Sequence, residues 1–202
     1  IIGGSKISTK INVIINLLEK VNNLIIVGAM ANNFFVYKNL KVGKSLVEKN
    51  TRKIIETIYK KAKRNNCKIL IPQDCVVGIN FEGGGKNKNL NDINDDEIIL
   101  DIGDNTIKNI NEIINQSNTV LWNGPAGYFE NDNFANGTLS IAENISKNTT
   151  TRSLISILGG GDTLAAVNKS KSKLSFSHLS TAGGAFLEFL EGKDLPGISV
   201  LK

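Results

Sequence analysis

Residues 153–167 of this 202-residue chain read SLISILGGGDTLAAV and carry the clearest indication of its architecture. An apolar, β-rich run comes first, three glycines follow, and helix-forming residues complete the stretch. This order predicts a strand, a tight turn and a helix, the unit from which α/β nucleotide-binding sheets are built. Glycine lets the backbone approach a ligand closely, and the free N–H groups at the start of the helix attract anions. The turn is therefore a candidate phosphate-binding loop.

Asp162 follows these glycines directly and has two interpretations. A carboxylate beside phosphates repels them unless Mg²⁺ lies between, which makes Asp162 a candidate magnesium ligand. Alternatively, its side chain only caps the helix by accepting a hydrogen bond from a backbone N–H group two or three residues further on. The spacing alone leaves both interpretations open.

The first residues of the chain repeat the strand, turn and helix pattern. Residues 1–4 look like the end of a strand followed by two glycines, and Ser8 or Thr9 is predicted to cap the next helix. Lys10 is expected in the first turn of that helix and Lys6 just before it. A cation there opposes the helix dipole by roughly 0.3 to 1 kcal/mol unless an anion compensates. The two lysines indicate a phosphate site, or else they are solvated lysines beside a turn.

A dense group of turn residues follows another predicted strand. Residues 119–122 are apolar, and residues 123–130 contain Asn, Gly, Pro and a second Gly before Glu130. Because α/β sheets bind ligands at the carboxyl ends of their strands, this loop is expected to line a ligand site. The Glu130 carboxylate suits ribose hydroxyls, which need an acceptor. Gly28 and Ala29 form a similar small-residue turn, which suits either a flat purine or close packing of a helix on the sheet.

Three other segments that contain glycine have different predicted roles. Residues 180–185 open the last predicted helix without a carboxylate to cap it, so its N–H groups are a second candidate phosphate site. Residues 43–45 read GKS, but Lys38 stands where a Walker A motif needs glycine, which predicts a surface turn. No helix follows the glycines at 83–85, so residues 74–101 predict an antiparallel excursion, or flap, with a solvated acidic loop.

Composition narrows the class of protein. The net charge is +5, but the lysines are scattered and no nucleic-acid motif is present, so we expect no nucleic-acid partner. No 18-residue apolar run or basic-then-apolar leader occurs, so we expect neither a membrane span nor an export signal. Cys67 and Cys75 are too far apart for a CxxC site, and His178 is the single histidine. Reduced thiols in the cytoplasm are therefore expected rather than a zinc site or a disulfide framework.

These elements together predict an α/β fold. We expect a doubly wound, mostly parallel six-stranded sheet, Rossmann-like, with helices on both faces. Residues 1–202 are expected to form one domain, and because the chain starts at Ile1 within an apparent strand, we expect it to be a fragment of a longer protein.

Five blocks of sequence, in this order and at this spacing, resemble the carboxyl-terminal domain of phosphoglycerate kinases. The blocks are GGSKISTK at 3–10, LWNGPAGYFE at 121–130, GGGDT at 159–163, FSHLSTAGGA at 176–185 and LEGKDLPG at 190–197. The resemblance implies the nucleotide-binding half of a monomeric, cytoplasmic, two-domain glycolytic kinase. Such a kinase transfers a phosphoryl group between 1,3-bisphosphoglycerate and Mg-ADP, giving 3-phosphoglycerate and Mg-ATP. The phosphoglycerate would bind to the amino-terminal domain, which this chain lacks, so the fragment is expected to bind nucleotide but to be nearly inactive.

The resemblance also implies roles for individual residues. Asp162 would hold Mg²⁺, Thr163 would bind the nucleotide phosphates and Glu130 would bind the ribose. Lys10 would bind phosphate, and Lys6 would steady the group in transfer. The residues that would line the nucleotide are Gly4, Ser5, Gly28, Ala29, Asn123, Pro125, Gly160 and Gly161.

The chemistry of an acyl phosphate agrees with this assignment. Its leaving group is a carboxylate, which departs without a proton, so phosphoryl transfer needs mainly alignment and charge neutralisation. The N–H groups at Gly183 and Gly184 would share that neutralisation with the lysines and Mg²⁺, and His178 would be structural. Ala182 departs from the family, which usually has glycine there, and would cost on the order of 1 kcal/mol if the site needs a positive φ.

Two other functions are alternatives to this one. A dinucleotide oxidoreductase needs a G-x-G-x-x-G fingerprint, which Leu164 breaks. A non-catalytic adenine-nucleotide-binding fragment or sensor is the other alternative, supported by Ala182 and by the missing half.

Overall fold

The computed structural model describes residues 1–201. Its strands are β1 (Asn23–Ile25), β2 (Lys68–Leu70), β3 (Asp74–Gly78), β4 (Lys86–Asn89), β5 (Ile98–Ile102), β6 (Thr119–Asn123), β7 (Ile155–Gly159) and β8 (His178–Ser180). Its α-helices are α1 (Ile11–Leu17), α2 (Ala31–Tyr37), α3 (Arg52–Arg64), α4 (Asp104–Gln116), α5 (Asn136–Arg152), α6 (Gly161–Asn168), α7 (Gly184–Leu190) and α8 (Pro196–Ser199). Short 3₁₀ turns cover Leu90–Asp92 and Asp132–Phe134.

Parallel strands form the centre of the fold. β1 pairs with β2, while β6, β7 and β8 form a second parallel ladder in that order. Ile2 lies between the two ladders and makes single parallel bridges to Ile26 and Asn123. The α/β class with mostly parallel strands is therefore confirmed, because helices alternate with these strands along the chain.

The expected six-stranded sheet is not confirmed. The segment at Ile2 forms only isolated bridges, because the backbone turns away at Gly4, where φ is +109°. β3, β4 and β5 form a separate ladder in the order β4-β3-β5, in which both pairings are antiparallel. This ladder is the antiparallel excursion expected over residues 74–101.

Helices cover both faces of the parallel sheet. Leu24 and Ile26 point into a core that also contains buried residues of α1, α2, α3 and α7. Ile25 and Val27 point into the opposite core, which α4, α5 and α6 share with Trp122. Successive side chains of a strand face opposite sides of a sheet, so residues 24–27 alone show that both faces are buried. The predicted two-sided helix arrangement is thus present.

The expected cap of α1 is wrong. Ser8 and Thr9 do not cap α1, because the Ser8 hydroxyl donates to Glu48 Oε1 and the Thr9 hydroxyl to Lys6 O. Asp104 is the first residue of α4 and makes no side-chain cap. The α4 cap comes from Asp74 on β3, whose carboxylate accepts hydrogen bonds from the backbone N–H groups of residues 105 and 106.

Between residues 1 and 201, none of the helices is long and apolar enough to cross a bilayer.

Candidate functional site

A cavity of about 530 Å³ opens where the parallel strands end. Ligand cavities of small molecules have volumes of roughly 300–1,000 Å³, so one nucleotide-sized ligand fits. The turns that follow residue 2, β1, β6 and β7 supply one side, and β5 supplies part of the opposite side. The sequence-predicted residues on its wall are Gly4, Ser5, Gly28, Ala29, Pro125, Glu130 and Asp162. Packing has therefore brought the predicted loops to one edge of the sheet.

The turns at this edge pack backbone against backbone. A Cβ atom on Gly28, where φ is +69°, would lie 2.6 Å from Gly4 N, and one on Gly3 would lie 2.2 Å from Pro125 O. The N–H of Gly28 donates to Ala126 O at 3.1 Å. Any side chain at these glycines would push the turns apart, because real Cβ atoms do not approach that closely. Gly28 therefore packs closely against its neighbours, as the second interpretation of this turn expects, and both Gly28 and Ala29 also line the cavity.

Lys10 reaches the same edge from the residue before α1. Its Nζ donates to Gly3 O at 2.8 Å and to Asn123 Oδ1 at 2.5 Å. Burial lowers the pKa of Lys10 to about 8, while the negative charge of Asp162 acts in the opposite direction. Lys10 is therefore held at the strand ends of Gly3 and Asn123, but it does not line the cavity itself.

Asp162 lies in the first turn of α6 and is exposed on the cavity wall. No side chain caps this helix, so the alternative that Asp162 is merely a cap is not what the fold adopts. Within residues 1–201, no three His, Cys, Asp or Glu side chains cluster to form a metal site by themselves. A lone carboxylate fits Mg²⁺ that is shared with substrate phosphates, since Mg²⁺ usually keeps several waters and takes one or two carboxylates.

Thr163 and Asn123 connect the β6 turn to the β7 turn. The Thr163 hydroxyl donates to Gly159 O at 2.9 Å and accepts the N–H of Gly124 at 2.7 Å. Asn123 Nδ2 donates to the same Gly159 carbonyl at 2.7 Å. Thr163 is fully buried and its hydroxyl hydrogen is already used, so in this structure its hydroxyl holds the two turns together. Gly160, with φ +99°, has no room for a Cβ, which would lie 2.6 Å from Asn123 Nδ2.

Three predicted catalytic residues do not line the cavity. Lys6, Gly183 and Gly184 are all exposed. Gly183 precedes α7 with φ +53°, whereas Ala182 is not among the residues of positive φ. The backbone strain considered for Ala182 is therefore absent. A Cβ on either glycine would meet nothing within 4 Å, so this turn faces open space.

Sequence reasoning missed two aromatic residues at the cavity. Phe81 comes from the β3–β4 connection and Tyr128 from the β6 loop, and their ring centroids lie 5.0 Å apart at an interplanar angle of 67°. Both side chains are partly exposed. Tyr128 belongs to a loop that was expected to line the site, but no local signal in the sequence places the flap residue Phe81 beside it.

Asp101 on β5 is a further cavity residue that the sequence did not reveal. Its carboxylate accepts the N–H of Ile102 at 2.8 Å and the N–H of Gly137, near the start of α5, at 2.7 Å. Burial raises the pKa of Asp101 to about 7, against these two hydrogen bonds. Lys44, assigned to a surface turn, also lines the cavity.

The comparisons with known proteins point to one family. The family model described as phosphoglycerate kinase matches residues 1–193. The phosphoglycerate kinase of Bartonella quintana (strain Toulouse) is 44% identical over 204 residues, which cover 100% of this chain and 51% of that protein. That of Wolbachia pipientis subsp. Culex pipiens (strain wPip) is 44% identical over 200 residues, covering 98% of this chain and 50% of that protein.

Solved structures agree with these sequence matches. Phosphoglycerate kinase from Coxiella burnetii superposes with a TM-score of 0.93 at 41% identity, covering 100% of this chain and 52% of that one. The enzyme from Pyrococcus horikoshii OT3 gives a TM-score of 0.79 at 28% identity, with 99% and 50% covered. The chain thus spans about half the length of the curated relatives that it matches.

Proposed function

The chain belongs to the phosphoglycerate kinase family, and from this we propose that it is the nucleotide-binding half of a kinase. The whole enzyme would transfer a phosphoryl group between 1,3-bisphosphoglycerate and Mg-ADP, giving 3-phosphoglycerate and Mg-ATP. As the resemblance implies, it would work as a cytoplasmic monomer, with phosphoglycerate bound by a half outside residues 1–202. One observation carries the proposal: the turns that follow residue 2, β1, β6 and β7 meet at one cavity, with Asp162 and Glu130 both on its wall.

The proposed roles follow from what each group offers. The Lys10 ammonium would neutralise phosphate oxygens, and the first-turn N–H groups of α6, including that of Thr163, would donate to them. Asp162 would hold Mg²⁺, which supplies charge neutralisation between the phosphates when bound. Glu130 would accept hydrogen bonds from the ribose hydroxyls.

The remaining roles concern shape and transfer. Because Gly28 and Gly160 have no side chain, the nucleotide could approach their backbone closely. Asn123 would hold the β6 turn against the β7 turn through its hydrogen bond to Gly159 O. Exposed Lys6 and the N–H groups at Gly183 and Gly184 would act on the group in transfer. Since a carboxylate leaving group needs no proton, this chemistry asks for no general acid.

Calorimetry with ADP, with and without Mg²⁺, tests the proposal on the 202-residue chain. We expect micromolar to millimolar ADP binding that Mg²⁺ strengthens, and we expect Asp162→Ala to remove the strengthening by Mg²⁺. Asp96→Ala changes an exposed loop carboxylate and is the matched control, which should behave as wild type. If the folded chain binds no adenine nucleotide, the proposed function is wrong.

A non-catalytic nucleotide-binding fragment remains the second candidate, because the chain spans only half of its relatives. Joining it to its native upstream sequence and measuring ATP-dependent acyl phosphate formation distinguishes the two. Activity of the joined protein supports the kinase, while nucleotide binding without turnover supports the fragment or sensor.

A further inference from the structure

Lys169 directly follows α6 and holds the segment that contains Glu130. Its Nζ donates to Phe129 O at 2.8 Å, to Glu130 O at 2.9 Å and to Asp132 Oδ1 at 3.1 Å. An ammonium group has three hydrogens, so this lysine uses all of them on three residues between positions 129 and 132.

A second contact ties α6 to the same segment. Ala166 is fully buried and shares a small apolar cluster with Phe129 and Ala135. The segment from Phe129 to Asp132 is therefore fixed to α6 by apolar packing and to Lys169 by hydrogen bonds to its backbone carbonyls. Glu130, which belongs to this segment, lines the cavity.

The helix α6 joins the two ends of the proposed nucleotide site. Asp162 is in its first turn and lines the cavity, and Lys169 lies one residue beyond its last residue. Seven residues of α-helix span roughly 10 Å, so one rigid element connects the phosphate end to the segment of Glu130.

The two carbonyl contacts matter more than the ion pair. The Asp132 side chain is 94% exposed, and an exposed ion pair contributes little to stability. Hydrogen bonds from a charged donor to backbone carbonyls are stronger and fix the backbone itself.

We infer that Lys169 is a positioning residue, which holds the Glu130 carboxylate where it accepts hydrogen bonds from the hydroxyls of a nucleotide ribose. This inference rests on the proposed function and adds the group that sets ribose recognition. Lys169 touches no part of the nucleotide; it acts through the backbone of residues 129 and 130.

Discrimination between ADP and 2′,3′-dideoxy-ADP, measured by calorimetry on the 202-residue chain, tests the inference. We expect wild type to bind ADP about tenfold more tightly, since hydrogen bonds to a charged acceptor are lost in the analogue. Glu130→Ala should remove this preference. Lys169→Met keeps the apolar stem and removes the ammonium, and it should reduce the preference to about twofold or less while leaving the affinity for the dideoxy analogue unchanged.

Matched variants separate positioning from a general effect. Lys171→Met removes an exposed lysine two residues away and should keep the full preference. Lys169→Arg retains donors and should recover part of the preference. Asp132→Asn weakens the exposed ion pair and should change the preference less than Lys169→Met does.

Several results would overturn the inference. A full preference in Lys169→Met beside a lost preference in Glu130→Ala would show that Glu130 needs no support from Lys169. An equal loss of affinity for both nucleotides, together with a lowered melting temperature, would make Lys169 merely structural. Absence of binding by the wild type would instead count against the proposed function, so the two failures are distinguishable.

Discussion

Lys10 Nζ lies 2.5 Å from Asn123 Oδ1, although 113 residues separate them in the sequence. The contact joins the turn that precedes α1 to the carboxyl end of β6. Asn123 Nδ2 in turn donates a hydrogen bond to Gly159 O at the end of β7. Three strand ends that are remote in sequence therefore share one hydrogen-bonded arrangement. These contacts already fix the orientation of the Lys10 side chain.

ADP binding at pH 8 should take up a proton at Lys10. Burial lowers its pKa to about 8, so roughly half of the free chain lacks this proton at pH 8, and phosphate oxygens will favour the charged form. ADP affinity should consequently fall as the pH rises through 8. Calorimetry in two buffers of different ionisation enthalpy measures the uptake. Lys10→Met should abolish it and exposed Lys20→Met should not; identical heats in both buffers for wild type would contradict the prediction.

Removing the Asp74 carboxylate should destabilise the chain by about 2–4 kcal/mol, because a helix cap and buried hydrogen bonds are lost together. Its oxygens accept the N–H groups of Asn105 at 2.9 Å and Thr106 at 2.8 Å, and the Thr106 hydroxyl at 2.6 Å. Urea unfolding of Asp74→Ala measures the loss. Asp104→Ala, which changes an exposed acidic residue at the same helix end, should cost less than about 1 kcal/mol. Equal costs for the two variants would show that the non-local cap is unimportant.

Asp101 should make the chain less stable as the pH rises from about 4 to about 7. Its pKa is raised to about 7 from an ordinary value of 3.8, so within that window the folded state binds more protons than the unfolded state. The stabilisation is complete below the unfolded pKa and is lost as the pH passes the folded pKa. Unfolding free energies of wild type and Asp101→Asn at pH 5 and pH 8 give the readout. From pH 5 to pH 8, the unfolding free energy of wild type should fall more than that of Asp101→Asn. An equal change in the two proteins would refute the prediction.

Lys6→Ala should lower turnover far more than nucleotide affinity in the protein that includes the upstream half. In the proposed function Lys6 would act on the group in transfer, and because its side chain is exposed and does not line the cavity, its removal should affect bound nucleotide little. Steady-state kinetics beside ADP titrations separate the two effects. An equal loss in both would assign Lys6 to ground-state binding.

Local patterns predicted the parts of this fold that depend on neighbouring residues. The run from Ile155 to Thr163 is the expected strand, turn and helix, and β3, β4 and β5 form the antiparallel excursion expected over residues 74–101. Hydrophobic periodicity and glycine positions suffice for such elements, because strand and helix periods are properties of the chain itself. The family that the comparisons show was identified differently, from the resemblance of five sequence blocks to its known members.

Contacts between distant residues account for the errors. The cap expected from Ser8 is wrong because its hydroxyl donates to Glu48, which is 40 residues away. The start of α4 is capped by Asp74, which is about 30 residues away on β3. Neither distant partner can be found by a rule that considers only a few neighbouring residues.

The amino-acid sequence alone was enough to predict the main strands, helices and glycine turns, since these depend on local periodicity and on the backbone freedom of glycine. It also carried the five blocks whose resemblance indicated the family. Three-dimensional packing was needed to bring Lys10 to Asn123, to shift the pKa values of Lys10 and Asp101, and to bring the Lys169 ammonium to the Glu130 carbonyl. The physical reason is that hydrogen bonds and desolvation act over a few ångströms in space. The sequence does not contain those distances until the sheet has folded.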